Sequence, residues 1–382
     1  MTRLRTVIVL AAGGTGGHMF PAEALARELA ARHFALALVT DRRGAAFGEN
    51  EDVDVHRIHA GQMVGGTIRK MAGAVQMARG LFEARRVLRQ LEPAAAVGFG
   101  GYASVPTMLA AVYAHIPTLI HEQNAVLGRA NRMLAPRVTA IATSFEHVAG
   151  MPAKGSAQLR RTGNPVRPEI AALSRIPYEP PAAGGPFNLL ITGGSQGAAV
   201  FGEIVPKAIA LLPPEYRARL RIAQQCRPEH LEMATQMYGQ LGMNVDLRPF
   251  FNDMPERLAK THLMVCRAGA STVAEVLAAG RPALLVPYPA AMDDHQTANG
   301  LSLQRKKAAW IIAQAKFTPH TLKDVLGTLM NEPARLAEVA KAAREMGIPE
   351  AATRLADMVA GLVSSGGARR LGRDQAPMEA AE

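Results

Sequence analysis

The sequence predicts an α/β protein built from two domains, each with a doubly wound parallel sheet. Short apolar runs alternate with helical patterns along the chain, which is typical of parallel strands covered by helices on both faces. A glycine-rich turn follows an apolar run once in each half, at 13–18 and at 193–198. The length of 382 residues also exceeds what a single hydrophobic core usually holds.

The predicted strands are apolar runs of the length expected for buried parallel strands. In the first half they are residues 6–12, 35–40, 94–99, 117–121 and 138–142. In the second half they are residues 188–192, 220–224, 245–249, 263–266, 283–287 and 309–312. The first run follows two arginines, as in a signal peptide. It ends directly in a glycine turn, however, and a helical pattern follows, so a first buried strand is the better interpretation.

A linker separates the two domains. It begins with the segment Gly163 to Pro168, and the prolines and glycines at 177–186 exclude a regular element there. The last residues of the chain are small, charged and rich in glycine, which favours disorder. The expected divisions are an N-terminal Rossmann-like domain at 1–163, a C-terminal Rossmann-like domain at 164–345, a helix at 346–363 that packs back on the N-terminal domain, and a disordered tail at 364–382.

Composition narrows the class of protein and of partner. Hydrophobic residues make up 48% and charged residues 20%, as in soluble globular proteins, and no apolar stretch approaches the ~20 residues of a membrane span. Cys226 and Cys266 lack the spacing of a disulfide framework or a zinc site, which favours the reducing cytoplasm. The net charge of +11 indicates an anionic partner: nucleic acid, anionic lipid or a phosphorylated substrate.

Both glycine turns have the design of a phosphate site. Glycine lets the backbone approach the anion, and the following helix presents unpaired N–H groups and its positive dipole end. The first turn is not a nucleotide-hydrolysis motif, because no Lys-Ser or Lys-Thr follows Gly17, and Met19 breaks the strict dinucleotide register. Asp41 ends the second strand where a ribose-binding acid would lie, so a dehydrogenase stays an alternative. A solvated turn acid explains Asp41 equally well.

Two residues at helix starts are candidates for chemistry. His18 follows the first glycine turn, where the helix dipole favours a neutral imidazole that accepts a proton. It is either a general base or a residue that only caps the turn. Glu275 lies in the first turn of a helix that follows the strand ending at Cys266, and its carboxylate is placed to accept both hydroxyls of a ribose. A favourable charge at a helix start is the alternative for Glu275.

The loop at 287–299 is rich in amides and carboxylates, which suit a sugar ligand. Asp293, Asp294 and His295 imitate metal ligands, as does the acidic triplet at 52–54. The triplet alternates like a half-exposed edge strand, and two helix-dipole phosphate sites replace a cation. We therefore expect neither a metal nor a cofactor.

An amphipathic basic segment spans residues 68–91. Met71, Val75, Ala78 and Phe82 recur at helical spacing. The basic residues around them are Arg69, Lys70, Arg79, Arg85, Arg86 and Arg89. Core packing explains the apolar stripe alone, but the excess of arginine favours an anionic membrane surface. Nucleic acid is disfavoured, because aromatic residues for base stacking are scarce.

Six ordered motifs together resemble the MurG family, the UDP-N-acetylglucosamine:N-acetylmuramyl-(pentapeptide)-pyrophosphoryl-undecaprenol N-acetylglucosaminyltransferases, which make lipid II from lipid I. The resemblance runs from about residue 6 to residue 362. It implies the GT-B fold, with two Rossmann-like domains around a central cleft. The motifs are GGTGGH at 13–18, GFGGYASVP at 98–106, HEQNAVLGRAN at 121–131, GNPVR at 163–167, GGSQGA at 193–198 and CRAGASTVAE at 266–275.

The resemblance also implies roles for individual residues. The uracil is bound by Arg167 and the backbone at Phe251, and the ribose by Glu275. The diphosphate of the donor is held by Ser195 and the helix start formed by Ala270, Ser271, Thr272, Val273 and Ala274. The sugar contacts His295, Gln296 and Asn299, although some members carry two glutamines where this chain has His295-Gln296. The first domain contributes Thr15, Gly16, Gly17 and Asn124 to the donor, and cradles the acceptor's pyrophosphate with Gly13, Gly14, Gly100, Gly101 and Tyr102.

The reaction implied is a single displacement with inversion. The muramyl 4-hydroxyl attacks the anomeric carbon of UDP-GlcNAc, with His18 as the general base and Glu122 as the alternative base. The implied partners are UDP-GlcNAc, lipid I, an anionic membrane at the cytoplasmic face of the inner membrane, and other cell-wall synthesis proteins. The alternatives are a related GT-B UDP-sugar transferase or epimerase with another substrate, and a peripheral membrane scaffold with a vestigial site.

Overall fold

The computed structural model describes residues 6–13, 16–41, 53–61, 67–152, 157–194 and 197–374. Its contacts divide the chain into two compact units. The first unit comprises Met1–Gln123, Leu127–Pro165 and Glu350–Glu382, and the second comprises Asn124–Val126 and Val166–Pro349.

The first unit contains a seven-stranded parallel sheet. Its strands are β1 (Val7–Ala11), β2 (Ala35–Asp41), β3 (Val53–Ile58), β4 (Ala95–Gly98), β5 (Thr118–Glu122), β6 (Ala140–Thr143) and β7 (Gln158–Arg161). Their order across the sheet is β3-β2-β1-β4-β5-β6-β7. The helices between them are α1 (Gly16–Ala31), α2 (Thr67–Leu91), α3 (Val105–Tyr113) and α4 (Arg129–Leu134).

The second unit contains a six-stranded parallel sheet. Its strands are β8 (Phe187–Thr192), β9 (Leu220–Gln225), β10 (Asp246–Arg248), β11 (Leu263–Cys266), β12 (Ala283–Leu285) and β13 (Trp310–Ile311), in the order β10-β9-β8-β11-β12-β13. Its helices are α5 (Pro168–Ala172), α6 (Ala199–Ala210), α7 (Pro214–Arg219), α8 (Pro228–Gln240), α9 (Met254–Lys260), α10 (Ala270–Ala279), α11 (His295–Arg305), α12 (Pro319–Leu329) and α13 (Pro333–Met346).

Each sheet has one point where the strand order reverses, and this point positions the functional loops. In the first sheet the reversal lies between β1 and β4, which pair with Ala11 opposite Gly98. In the second sheet it lies between β8 and β11, with Thr192 opposite Cys266. The loops that leave such neighbouring strands diverge and open a crevice at their carboxyl ends, which is where ligands bind in open α/β sheets. Both glycine turns lie at these points.

The final helix, α14 (Ala351–Asp374), belongs to the first unit. Leu355 and Val359 are fully buried in the same core as β1 and α1. Arg32, which directly follows α1, pairs with Asp357 at 2.7 Å. The sequence predicts disorder from Ser364 onwards, whereas α14 continues to Asp374; residues 375–382 lie outside the described part of the chain. Within this extension the hydroxyl of Ser365 donates to the carbonyl of Gly361 one turn earlier, which is compatible with continued helix.

The predicted alternation of buried strands and helices is confirmed, and every predicted strand is present. The structure adds β3 and β7, the two edge strands of the first sheet. All four residues of β7 are exposed, so it has no apolar run for a pattern to detect. The acidic triplet at 52–54 overlaps β3; Asp54 is exposed there, as expected of an edge strand, and Asp52 lies outside the described residues.

Candidate active site

At the reversal point of the first sheet, the first glycine turn packs against the loop that contains Gly100 and Gly101. A Cβ atom added at Gly13 would lie 2.5 Å from Cβ of Ala103, so no side chain fits there. Gly100 and Gly101 have φ angles of +85° and +71°, which favour glycine, and a Cβ at Gly101 would lie 3.3 Å from the carbonyl oxygen of Gly13. At the predicted acceptor site, Gly13, Gly100 and Gly101 therefore place no side chain between the backbone and a ligand. Gly14 and Thr15 lie outside the described residues.

The imidazole of His18 lies over the Gly100-Gly101 turn. Cβ atoms added at Gly100 and Gly101 would lie 3.5 Å from its Cε1 and 3.4 Å from its Cδ2. His18 is half-buried in the first turn of α1, where Gly16 and Gly17 precede it. Its Nδ1 lies 3.2 Å from Oε1 of Gln123. The structure thus brings the candidate base together with the predicted acceptor residues, with half-buried Tyr102 directly after the turn.

Glu122, the alternative base, has a different environment. It is only 1% exposed, and its Oε2 accepts hydrogen bonds from the backbone N–H of Gly128 and from Nδ2 of Asn131, both at 2.9 Å. These contacts hold the start of α4. A buried carboxylate with such partners is a poor acceptor for a substrate proton, so the geometry favours His18 as the base.

The second glycine turn lies at the reversal point of the second sheet. A Cβ at Gly193 would lie 2.2 Å from the backbone nitrogen of Ala198, and Gly194 and Gly197 have φ angles of +79° and +66°. Gln225, at the end of β9, supports this turn. Its Oε1 accepts from the backbone N–H of Gly193 at 3.0 Å, and its Nε2 donates to the carbonyl of Gly194 at 3.0 Å. Ser195 lies outside the described residues.

We expect Gly193→Ala to weaken UDP binding at least tenfold, because the new methyl group would push Ala198 away and distort the turn. Isothermal titration calorimetry with UDP measures this. Gly239→Ala is the matched control, since a Cβ at this position in α8 meets nothing within 4 Å. That control should bind UDP normally and unfold at an equal or higher temperature. Normal UDP affinity in Gly193→Ala would exclude this turn from the donor site.

The helix α10 follows β11, which pairs with β8, the strand before the second glycine turn. Glu275, the predicted ribose acid, lies one helical turn further along α10 than the sequence predicts, and the first turn of this helix contains no acidic residue. Ser271 Oγ is buried and makes no hydrogen bond within the described residues. Arg167 Nη2 lies 3.7 Å from Oε1 of Glu275. Burial raises the pKa of Glu275, and the charge of Arg167 partly offsets this effect. An unpartnered buried hydroxyl at a helix N-terminus, beside a carboxylate and a guanidinium, suits a phosphorylated ribose.

Phe251 and the first residues of α10 are predicted to contact the donor through their backbone, and their side chains are mostly packed inside the protein. Phe251 is 3% exposed, and the guanidinium of Arg257 lies 4.0 Å from the centre of its ring. Its side chain is occupied by this packing. Val273 is 1% exposed and faces the core, whereas Ala270 starts the helix and Thr272 and Ala274 are half-buried.

The predicted sugar-binding residues divide into two kinds. Gln296 Oε1 accepts from the backbone N–H of Tyr288 at 2.9 Å, which leaves its amide nitrogen toward Gly269 at the start of α10. His295 Nδ1 donates to the carbonyl of Met292 at 2.7 Å and caps the loop. Because Gln296 faces the helix start, it fits the predicted sugar contact better than His295.

Asn299 is fully buried and holds the segment Asn124–Val126. Its Oδ1 accepts from the backbone N–H of Ala125 at 2.8 Å, and its Nδ2 donates to the carbonyl of Ala268 and to Oδ1 of Asn124 at 3.0 and 3.1 Å. These contacts favour a role in positioning Asn124 rather than contacting the sugar. They also place Asn124 in the second unit by its contacts, although the sequence assigns it to the first domain.

The part of the chain that the structure describes contains no group of three or more His, Cys, Asp or Glu side chains able to hold a metal ion. Asp293 and Asp294 have left-handed φ angles of 53° and 51° and form a turn before α11.

Two buried glutamines were missed by the sequence reasoning. Gln123 follows β5 by one residue and contacts His18, and Gln225 ends β9 and supports the second glycine turn. Each is a buried amide at the carboxyl end of a parallel strand. That position is the signal that identifies them, since ligand sites form there.

Comparison with known proteins gives the family. The family model for the glycosyltransferase family 28 N-terminal domain matches residues 8–143, and the model for the C-terminal domain of the same family matches residues 188–355. A relative from Rhodospirillum centenum, named UDP-N-acetylglucosamine--N-acetylmuramyl-(pentapeptide) pyrophosphoryl-undecaprenol N-acetylglucosamine transferase, is 54% identical over 98% of this chain and 99% of its own. A relative of the same name from Rhodospirillum rubrum is 52% identical over 92% of this chain and 91% of its own.

A solved structure indicates the same family. The crystal structure of Acinetobacter baumannii MurG superposes with a TM-score of 0.77 at 34% identity, covering 93% of this chain and 99% of that one. The predicted GT-B class of two Rossmann-like domains is thereby confirmed, and the dehydrogenase alternative loses its basis. No described helix has the length and apolar character needed to cross a membrane. The chain belongs to glycosyltransferase family 28 and, within it, to the MurG family.

Proposed function

We propose that this protein transfers N-acetylglucosamine from UDP-GlcNAc to the muramyl 4-hydroxyl of undecaprenyl-pyrophosphoryl-MurNAc-pentapeptide, converting lipid I to lipid II. The observation that carries the proposal is the start of α10, where the buried Ser271 hydroxyl lies near the Glu275 and Arg167 pair. This arrangement occurs in a chain that is 54% identical to a relative with that name.

In this proposal the domain at 164–345 binds the donor. The carboxylate of Glu275 accepts the ribose hydroxyls, and Arg167 contacts the uracil. The N–H groups at the start of α10 and in the second glycine turn bind the diphosphate, where the helix dipole stabilises its negative charge. Gln296 contacts the sugar through its amide nitrogen.

The domain at 1–163 binds the acceptor in this proposal. The turns containing Gly13 and Gly100-Gly101 hold the pyrophosphate of lipid I. His18 takes the proton of the muramyl 4-hydroxyl while its oxygen forms a bond to the anomeric carbon of the donor. The bond from that carbon to UDP breaks at the same time, so the α-linked donor gives a β-linked product. UDP leaves as an anion, stabilised by the donor-binding N–H groups.

A transfer assay with labelled UDP-GlcNAc and lipid I tests the function. We expect the label in a lipid product whose new linkage is β by the anomeric coupling in its NMR spectrum. A chain that epimerises UDP-GlcNAc without transfer, or that uses a different lipid acceptor in preference, would contradict the proposal. Binding of UDP with no transfer to any acceptor would instead favour the scaffold alternative.

We also propose that α2 lies on an anionic membrane surface, at the cytoplasmic face of the inner membrane. Met71, Val75 and Phe82 are 67%, 69% and 73% exposed and fall on one side of the helix. Ala84 and Leu88 on the opposite side are buried in the core. Arginines 85, 86 and 89 are exposed beside the apolar residues. Exposed apolar side chains flanked by arginines suit the boundary between lipid headgroups and acyl chains.

Replacing Met71, Val75 and Phe82 together by serine should lower binding to anionic vesicles at least tenfold. Full burial of one such apolar side chain in the lipid contributes about 1.5–3 kcal/mol to the free energy of binding, and serine loses this contribution. Vesicle sedimentation measures this. Leu159→Ser is the control, since Leu159 is 61% exposed on β7 of the same unit. Equal binding of the triple variant and the control would exclude α2 as the membrane face.

A further inference from the structure

A buried chain of hydrogen bonds runs from His18 to the linker at Gly163. Gln123 lies at its centre and is 1% exposed. Its Nε2 lies 3.0 Å from three acceptors: the carbonyl of Phe99, the carbonyl of His121 and Nδ1 of His121. Its Oε1 lies 3.2 Å from Nδ1 of His18. Nε2 of His121 lies 2.9 Å from the carbonyl oxygen of Gly163. All of these residues belong to the first unit.

The partners fix the orientation of the Gln123 amide. Carbonyl oxygens only accept hydrogen bonds, so the NH₂ group faces Phe99 and His121. The amide oxygen therefore faces His18. Because an amide oxygen also only accepts, the proton in this contact resides on Nδ1 of His18.

His121 has a fixed proton as well. Its Nε2 faces a carbonyl and must donate, which leaves Nδ1 as the acceptor for Gln123. Burial lowers the pKa of His121 to about 4, so the ring is neutral at physiological pH and carries only the Nε2 proton. In the series of hydrogen bonds from His18 to Gly163, each group thus has only one donor or acceptor role that is compatible with its neighbours.

We propose that Gln123 is a positioning residue that holds His18 in the tautomer with the proton on Nδ1, so that Nε2 carries the lone pair. The inference rests on the proposed function, in which His18 accepts the proton of the acceptor hydroxyl. A neutral imidazole has two tautomers, and only the nitrogen without a proton acts as a base. When Nε2 takes the proton, Nδ1 keeps its own proton and continues to donate it to the amide oxygen of Gln123, which stabilises the imidazolium.

The direct test is ¹⁵N NMR of the histidine rings in the full chain, with His18 assigned by comparison with His18→Ala. We expect a proton-bearing Nδ1 and a pyridine-type Nε2 for His18 in the unsubstituted protein. In Gln123→Met the amide is lost, and the two tautomers should become mixed. In Gln123→Glu an acceptor oxygen toward His18 is kept, and the Nδ1 proton should be retained. A proton on Nε2 of His18 in the unsubstituted protein would overturn the proposal.

Kinetics add a second measurement. Gln123→Met should lower kcat about tenfold or more while the dissociation constant for UDP stays unchanged, because Gln123 lies outside the donor-binding unit. Unchanged kcat in a variant with mixed tautomers would overturn the positioning role. If the protein transfers no sugar at all, the proposed function fails, but the NMR result still decides whether Gln123 sets the tautomer.

Discussion

His18→Ala is expected to lower kcat for sugar transfer by about 10²–10⁴-fold, the usual contribution of a general base. The imidazole lies over the Gly100-Gly101 turn. In the proposed tautomer Nδ1 carries the proton of the Gln123 contact, so Nε2 is the proposed base. Alanine cannot accept the proton of the muramyl hydroxyl. The measurement is turnover at saturating UDP-GlcNAc and lipid I. Because the donor is proposed to bind the second unit, the affinity for UDP should stay the same.

His147→Ala is the matched control for this experiment, since His147 is an exposed histidine of the same unit. It should retain full activity. Near-normal turnover of His18→Ala at saturating substrates would remove His18 from the role of base. Glu122→Gln would then be the next variant to measure, although its carboxylate is engaged with Gly128 and Asn131.

Glu275→Gln is expected to weaken UDP binding by about 10–100-fold, since hydrogen bonds to a charged group contribute roughly 1.5–3 kcal/mol. The carboxylate is proposed to accept both ribose hydroxyls, whereas an amide has one acceptor oxygen. The substitution also leaves Arg167 without the charge that lies 3.7 Å away. Calorimetry with UDP measures the loss, and kcat at saturating donor should change less than KM.

Glu256→Gln is the control for this second prediction, because Glu256 is an exposed acid on α9 of the same unit. It should bind UDP with unchanged affinity. If Glu275→Gln binds UDP as tightly as the unsubstituted protein, Glu275 serves only as the ion-pair partner of Arg167.

The raised pKa of Glu275 gives donor binding a defined pH dependence. Binding requires the ionised carboxylate, and burial raises the pKa of this group above its ordinary value. On acidification the carboxylate is therefore protonated at a higher pH than an ordinary glutamate, and UDP affinity should begin to fall there. Glu275→Gln should lack this dependence. An affinity for UDP that falls equally in both proteins would assign the titration to another group.

The buried strands and the glycine turns were predictable because each leaves a local pattern. An apolar run marks a buried parallel strand, and glycine marks a turn such as Gly193, where no Cβ fits. The edge strand β7 has four exposed residues and no such pattern. The roles of Gln123 and Gln225 were not predicted, because their hydrogen-bond partners His18 and Gly193 are distant in sequence. Sheet order alone brings them together.

We propose that the two glycine turns, at 13–18 and 193–198, bind different phosphates. A crystal structure of the full chain with UDP-GlcNAc tests it most directly. We predict the diphosphate at the turn 193–197 and the start of α10, with the ribose hydroxyls on Glu275 and no phosphate of the nucleotide at the turn 13–18. A diphosphate bound at 13–18, with no contact to Glu275, would contradict the assignment of the donor to the second unit.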